Sequence, residues 1–224
     1  MTRAGVQPGR YFSGMRIAIL TFDGFNEIDS FVASYMVNRV PRAGLKAEIT
    51  CPGPVVESGR GVRVSAQQPL EFARDADAVL VGSGKLSPRI AEDPSILSRL
   101  SLDPRRQLVA SQCSGALVLA KLGLLKALPA CTDRATAPLV EATGVRVLER
   151  PFFASGNIAT AGGCLASHYL ATWVLWRLAG RDVAEEALTY VAPVGEESEW
   201  ISRALRTVGE FIDEPAAAMS GWQR

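Results

Sequence analysis

The chain has a single histidine and only four cysteines in 224 residues. Cys51, Cys113, Cys131 and Cys164 stand far apart and form no Cys-x-x-Cys pair, and His168 is the one imidazole, so no Cys/His structural zinc cluster is expected. An excess of one charge sign is missing too: 24 basic residues face 23 acidic ones, a net charge of +1. That argues against a broad surface for nucleic acid or an anionic membrane, and neither is expected as a partner. No apolar run approaches the ~20 residues of a membrane-spanning helix. Met1 to Gly14 is polar and glycine-rich rather than a secretory signal. Unpaired cysteines in such a chain are expected as free thiols in a reducing cytoplasm. Gly82-Ser83-Gly84 and Gly162-Gly163 make neither a GxGxxG nor a P-loop pattern, so no nucleotide site is expected, and no metal or other cofactor.

Hydrophobic residues make up 48% of the chain, enough to bury one full core. Residues 1–14 read as a flexible leader, 15–213 as a single domain and 214–224 as a flexible tail. Compact apolar segments, expected as strands, lie at Arg16 to Phe22, Ala47 to Cys51, Ala78 to Val81, Leu108 to Ser111, Val145 to Leu148, and Phe152 to Thr160 in two pieces. Val55 to Val64 reads as a hairpin around a glycine-rich turn. Between them fall helical patterns at Glu27 to Arg42, Pro88 to Leu100, Ala116 to Leu122, Ala135 to Thr143, Leu165 to Leu178, Asp182 to Tyr190 and Glu197 to Ile212. Strands that are apolar throughout, alternating with helices, predict an α/β fold with a mainly parallel sheet covered on both faces. In such sheets ligands bind outside the carboxyl ends of the strands. Three segments fall there: Asp23 to Asp29, Gly82 to Gly84, and the stretch around Cys113.

Ala110-Ser111-Gln112-Cys113-Ser114-Gly115-Ala116 joins an apolar strand to a helix through small residues and one thiol. This is the composition of a nucleophile elbow, in which a tight turn holds the sulfur up at the end of a strand. The helix that follows would aim its N–H groups at the sulfur, lowering the thiol pKa and offering donors to an oxyanion. A packed structural cysteine would need the same small neighbours. The Ser114 N–H and the Gly82–Gly84 turn, Gly84 in particular, are candidate donors for developing negative charge.

Proton handling needs an acid or base beside the thiol. Asp23, Glu27 and Asp29 stand near the start of the first helix, where Asp29 could serve the helix terminus or the site. His168 lies within an apolar helical stretch and reads as a packed core residue; Trp173 and Trp176 on the same stretch read as core or interface residues.

Four segments in this order resemble the ThiJ/PfpI superfamily: Phe22 to Asp29, Gly82 to Gly84, Ala110 to Gly115, and Gly156 to Gly163. Within it the chain looks most similar to the isonitrile hydratase branch, over about Met15 to Gly180. The resemblance implies a flavodoxin-like αβα sandwich, related to class I glutamine amidotransferases, and usually a homodimer. It implies that Cys113 is the elbow cysteine in a strained backbone conformation, and that Asp29 is the acidic residue beside it. The catalytic set it points to is Cys113, Asp29, Ser114 and Gly84, with Ser83, Asp133 and Glu27 as binding residues. Asp133 falls where many members carry a histidine, Ser114 where the branch usually has threonine, Gly82-Ser83-Gly84 where Pro-Gly-Gly is usual, and Tyr169 where the late helix usually has aspartate.

The function implied is cofactor-independent hydration of a small electrophile, an isonitrile giving an N-formamide. An alternative is a non-enzymatic domain that senses a ligand or thiol oxidation, with Cys113 oxidised to a stabilised sulfinate. A deglycase or glyoxalase-like activity is disfavoured by the lost histidine. A DNA-binding regulator is not expected, because the stretch after Gly180 is shorter than the ~100 residues of a paired helix-turn-helix module.

Overall fold

The computed structural model describes residues 14–212. The leader before Gly14 and the tail over 214–224 lie outside the described residues. Nine strands are formed: β1 (Met15–Leu20), β2 (Leu45–Cys51), β3 (Val55–Glu57), β4 (Arg63–Ser65), β5 (Gln68–Pro69), β6 (Ala78–Val81), β7 (Leu108–Gln112), β8 (Phe152–Ser155) and β9 (Ile158–Ala161). The helices are α1 (Glu27–Asn38), α2 (Ser87–Ile90), α3 (Pro94–Leu97), α4 (Gly115–Lys121), α5 (Ala137–Glu141), α6 (Ser167–Ala179), α7 (Arg181–Val191) and α8 (Glu197–Gly209).

Seven strands form one sheet in the order β5-β2-β1-β6-β7-β9-β8, and β3 pairs with β4 apart from it. All neighbours in the large sheet run parallel except β8 and β9. The central strands are buried on both faces, and successive side chains feed opposite cores, as the two-residue period of a strand requires. Ile17, Ile19, Ala78, Leu80, Leu108 and Ala110 point into one core with residues of α1, α6, α7 and α8. Ala18, Leu20, Val79, Val81 and Val109 point into the other, shared with α4. The result is the expected αβα sandwich. From β1 the sheet grows to β2 on one side and to β6 on the other. The crevice beyond the carboxyl ends of β1 and β6 is therefore the topological switch point where such sheets bind ligands.

Three segments differ from the sequence expectation. The helix expected to run to Arg42 ends at Asn38, because Pro41 pushes Val40 off helical geometry, at φ −111° and ψ 80°. The helix expected over Pro88 to Leu100 is two short ones. Asp93 caps the second, accepting from the Ser95 N–H at 2.8 Å, and Pro94 occupies its first position. Val145 to Leu148 forms no strand; Val147 makes only an isolated bridge to Ala130. The bridge cannot lengthen on the Ala130 side, since Pro129 has no N–H and the Cys131 N–H is taken by Thr160 Oγ1 at 2.8 Å. No helix among the described residues is long and apolar enough to cross a membrane.

Candidate active site

Cys113 is the first residue beyond β7, and its φ of +45° is the one positive value at a non-glycine residue among those described. For a residue with a Cβ this backbone conformation costs of the order of 1 kcal/mol and persists only where the surroundings enforce it. Here they do. The Cys113 N–H donates to Ala161 O at 2.8 Å, and its carbonyl accepts from Thr132 Oγ1 at 2.8 Å. At Gly115 a Cβ would stand 2.5 Å from Val81 O and 2.8 Å from Gly82 O, so the helix can start this close to β6 only without a side chain. The small residues of the elbow are thus a demand of backbone approach.

Asp29 sits in the first turn of α1, yet it is only 2% exposed. Its Oδ2 accepts the Ser83 hydroxyl, while Oδ1 is buried with no hydrogen-bond partner among the described residues. A carboxylate oxygen of Asp29, Cys113 Sγ and Cys164 Sγ all lie within 4.8 Å of one another. Gln112 Nε2 contacts Cys113 Sγ at 3.6 Å and is itself anchored on Gly163 O at 2.8 Å. Burial pushes Asp29 up from 3.8 to about 6, aided by the charge of Asp133 and opposed by the Ser83 and Cys113 contacts. Burial pushes the Cys113 thiol up as well, with the charges of Asp29 and Cys164 adding to it. The lowered thiol pKa expected from the helix is reversed, because desolvation beside a carboxylate outweighs a helix of seven residues. Both shifts favour the protonated form of their group.

The other expected residues divide. Ser83 is buried, lines the cavity over Cys113 and donates its hydroxyl to Asp29. Ser114 accepts the Gly84 N–H at 3.1 Å and meets Ser87 Oγ at 2.8 Å. Gly84 is therefore engaged by Ser114 and is not a free donor, whereas the Ser114 N–H has no backbone acceptor among the described residues. Asp133 lines the cavity but turns its Oδ1 to the N–H groups of Ala135 and Thr136, both at 3.0 Å, capping the turn into α5. Glu27 stands at the cavity mouth near Ser58 and Arg60, which lower its pKa. His168 is buried on α6, its Nδ1 bonded to Leu165 O, and it lines a different cavity with Tyr169 and Trp200. The cavity over Cys113 has a volume of about 720 Å³, with Pro88, Ala135 and Leu139 on its apolar side and Lys85 and Arg60 among its polar lining.

Cys164, Asn26 and Gln112 were not singled out from the sequence. Cys164 follows β9 as Cys113 follows β7, and the rule that sites gather at strand carboxyl ends was the signal that could have found it. Asp29, Cys113 and Cys164 are also the one group among the described residues placed to ligate a cation, one donor short of a closed tetrahedral zinc site.

A parallel sheet with a strained cysteine at a strand-to-helix elbow and a buried acid beside it defines an α/β protein of the nucleophile-elbow class. The sequence pattern of the DJ-1/PfpI family matches residues 15–175, and the chain belongs to that family. Among solved structures, a THiJ/PfpI family protein from Pseudomonas syringae superposes with a TM-score of 0.70 at 20% identity, over 99% of this chain and 98% of that one. Schizosaccharomyces pombe DJ-1 gives 0.69 at 17% identity, over 80% and 100%. Oxidised Toxoplasma gondii DJ-1 gives 0.67 at 19% identity, over 80% and 98%. At these identities the likeness is one of fold. No protein with a curated description matches the chain.

Proposed function

We propose that this protein hydrates a small electrophilic carbon, an isonitrile to its N-formamide, with Cys113 as nucleophile and Asp29 as the proton carrier. The observation that carries the reading is the Cys113–Asp29 pair beside a cavity whose lining holds no histidine. The chain's one imidazole lines another cavity, so proton transfer falls to a carboxylate whose pKa of about 6 suits work near neutrality. Asp29 takes the thiol proton as the sulfur bonds to the terminal isonitrile carbon, and returns it to that carbon, leaving a thioimidate. Water then adds across the carbon–nitrogen double bond, with one of its protons moving through Asp29 to nitrogen. The sulfur–carbon bond breaks as the hydroxyl becomes the formyl carbonyl, and Asp29 passes the hydroxyl proton to the departing sulfur. Charge that develops on the added oxygen has the Ser114 N–H as donor. The apolar side of the cavity, at Pro88, Ala135 and Leu139, fits an alkyl or aryl substituent.

The test is formamide appearance from cyclohexyl isonitrile with the purified protein. Turnover is expected with the native chain and at least ~1,000-fold less with Cys113→Ala, the scale of losing a covalent nucleophile. Undiminished turnover in Cys113→Ala would overturn the mechanism, and no turnover by the native chain would overturn the substrate.

A further inference from the structure

Hydration uses one sulfur, but the site holds two. Cys164 Sγ lies within 4.8 Å of both Cys113 Sγ and the Asp29 carboxylate, and the hydration steps give it nothing to do. We infer that Cys113 and Cys164 are a reversible redox pair, in which Cys164 converts a peroxide-oxidised Cys113 into an intramolecular disulfide that closes the site.

The topology brings the two together. Cys113 comes directly after β7 and Cys164 shortly after β9, the parallel neighbour of β7, and the Cys113 N–H to Ala161 O bond fixes one backbone against the other. Cys164 is the one cysteine of the four that is not fully buried. It shares the 720 Å³ cavity with Cys113, whereas Cys51 and Cys131 line neither that cavity nor its neighbour. The Asn26 side-chain amide donates to Cys164 Sγ at 2.9 Å, which holds the sulfur on the side of the pair. Bond formation requires the sulfurs to approach to ~2.05 Å. The chain can supply that movement, because Cys164 sits in a short 3-10 turn ahead of α6 and follows Gly163, whose φ is +90°. The proposal asks for a side-chain rotation and a shift of this turn, which lies ahead of α6.

The chemistry balances with hydrogen peroxide as the oxidant. Cys113 sulfur attacks one peroxide oxygen, the O–O bond breaks, and hydroxide leaves with the thiol proton as water, giving a sulfenic acid. Asp29 takes the Cys164 proton, the Cys164 sulfur attacks the Cys113 sulfur, and the S–O bond breaks. The hydroxyl departs with the Asp29 proton as a second water. Two thiols and one peroxide thus become one disulfide and two waters. Without a resolving thiol a second peroxide carries the sulfenic acid to sulfinate, which ordinary thiols do not reduce. A neighbouring sulfur outruns that second encounter because its attack is intramolecular.

The test reads sulfur rather than turnover, so it stands or falls apart from the hydration reading. The reduced full-length protein, held in a chelator, is given hydrogen peroxide in slight excess, alkylated and digested for mass spectrometry. The expected product is a linked Cys113–Cys164 peptide that dithiothreitol separates, with Cys51 and Cys131 alkylated. In Cys164→Ser, and in Cys164→Ala as a second variant, the link is lost and Cys113 accumulates with two added oxygens. Equal accumulation of Cys113 sulfinate in the native chain and both variants, or a link through Cys51 or Cys131 instead, would overturn the pair.

Discussion

Asp29 shows at the scale of one residue how function is set against stability. Its pKa is about 6 in the fold against 3.8 for an ordinary aspartate. A carboxyl whose folded pKa is raised binds its proton more tightly in the native state, so the fold loses stability as pH rises through this window. The cost is absent below about pH 3.8, grows between 3.8 and 6, and is fully present above, where it amounts to about 3 kcal/mol. Asp29→Asn keeps an oxygen for the Ser83 hydroxyl and removes the buried charge. It is expected to raise the urea midpoint at pH 7 while leaving it unchanged near pH 3.5, and to abolish proton transfer from Cys113. Urea titrations at the two pH values check this, and a variant less stable than the native chain at pH 7 would show that the charge is compensated. On the proposed mechanism the carboxylate form accepts the thiol proton, so kcat/KM for isonitrile is expected to rise through pH 6 and level off.

At the scale of elements, the elbow is held by contacts that cross the sheet. Gly115→Ala would press a methyl group against Val81 O and Gly82 O, at 2.5 and 2.8 Å before any relaxation. The expected loss is about 3 kcal/mol by denaturant unfolding. Gly53→Ala is the control, since nothing lies within 4 Å of the added carbon and the change is expected within about 0.5 kcal/mol. Equal midpoints for the two variants would refute the crowding argument. The strands feeding the site were legible in the sequence because each is a short apolar run closed by a small-residue turn: Ala78 to Val81 into Gly82, and Leu108 to Ser111 into Cys113. Proline effects were harder to read, so the helix at Pro88 was expected unbroken through Pro94, and Val145 to Leu148 was expected to pair beside Pro129. In the site, Cys113 and Asp29 could be named from local pattern and resemblance. What Ser83, Asn26, Gln112 and Cys164 do there could not, because their partners lie 54, 138, 51 and 138 residues away in the chain or are met only through β9. Ser83 lines the cavity and also holds Asp29, and the second contact spans residues too far apart in the chain for local pattern to reveal it.

The scale of the whole molecule brings in the second copy that the family resemblance implies. On α1, Ile28, Phe31 and Tyr35 are 43%, 37% and 49% exposed, and their spacing puts them along one side of the helix. The same helix carries Asp29 on its buried side and Glu27 at the cavity mouth. We therefore place the expected homodimer contact on this stripe, where two copies would cover apolar surface and brace the helix that holds Asp29. Sedimentation at micromolar concentration is expected to show a dimer. Tyr35→Glu puts a charge on the stripe without altering the core or the helix, and is expected to weaken association at least ~30-fold, about 2 kcal/mol, with the far-ultraviolet circular dichroism unchanged. If α1 is braced by the contact, the monomeric variant should also lose turnover although Tyr35 does not line the cavity over Cys113. A native chain that sediments as a monomer would remove the dimer, and a Tyr35→Glu chain that dimerises as tightly as the native one would move the interface off α1; either would leave Asp29 positioned by Ser83 and the core alone.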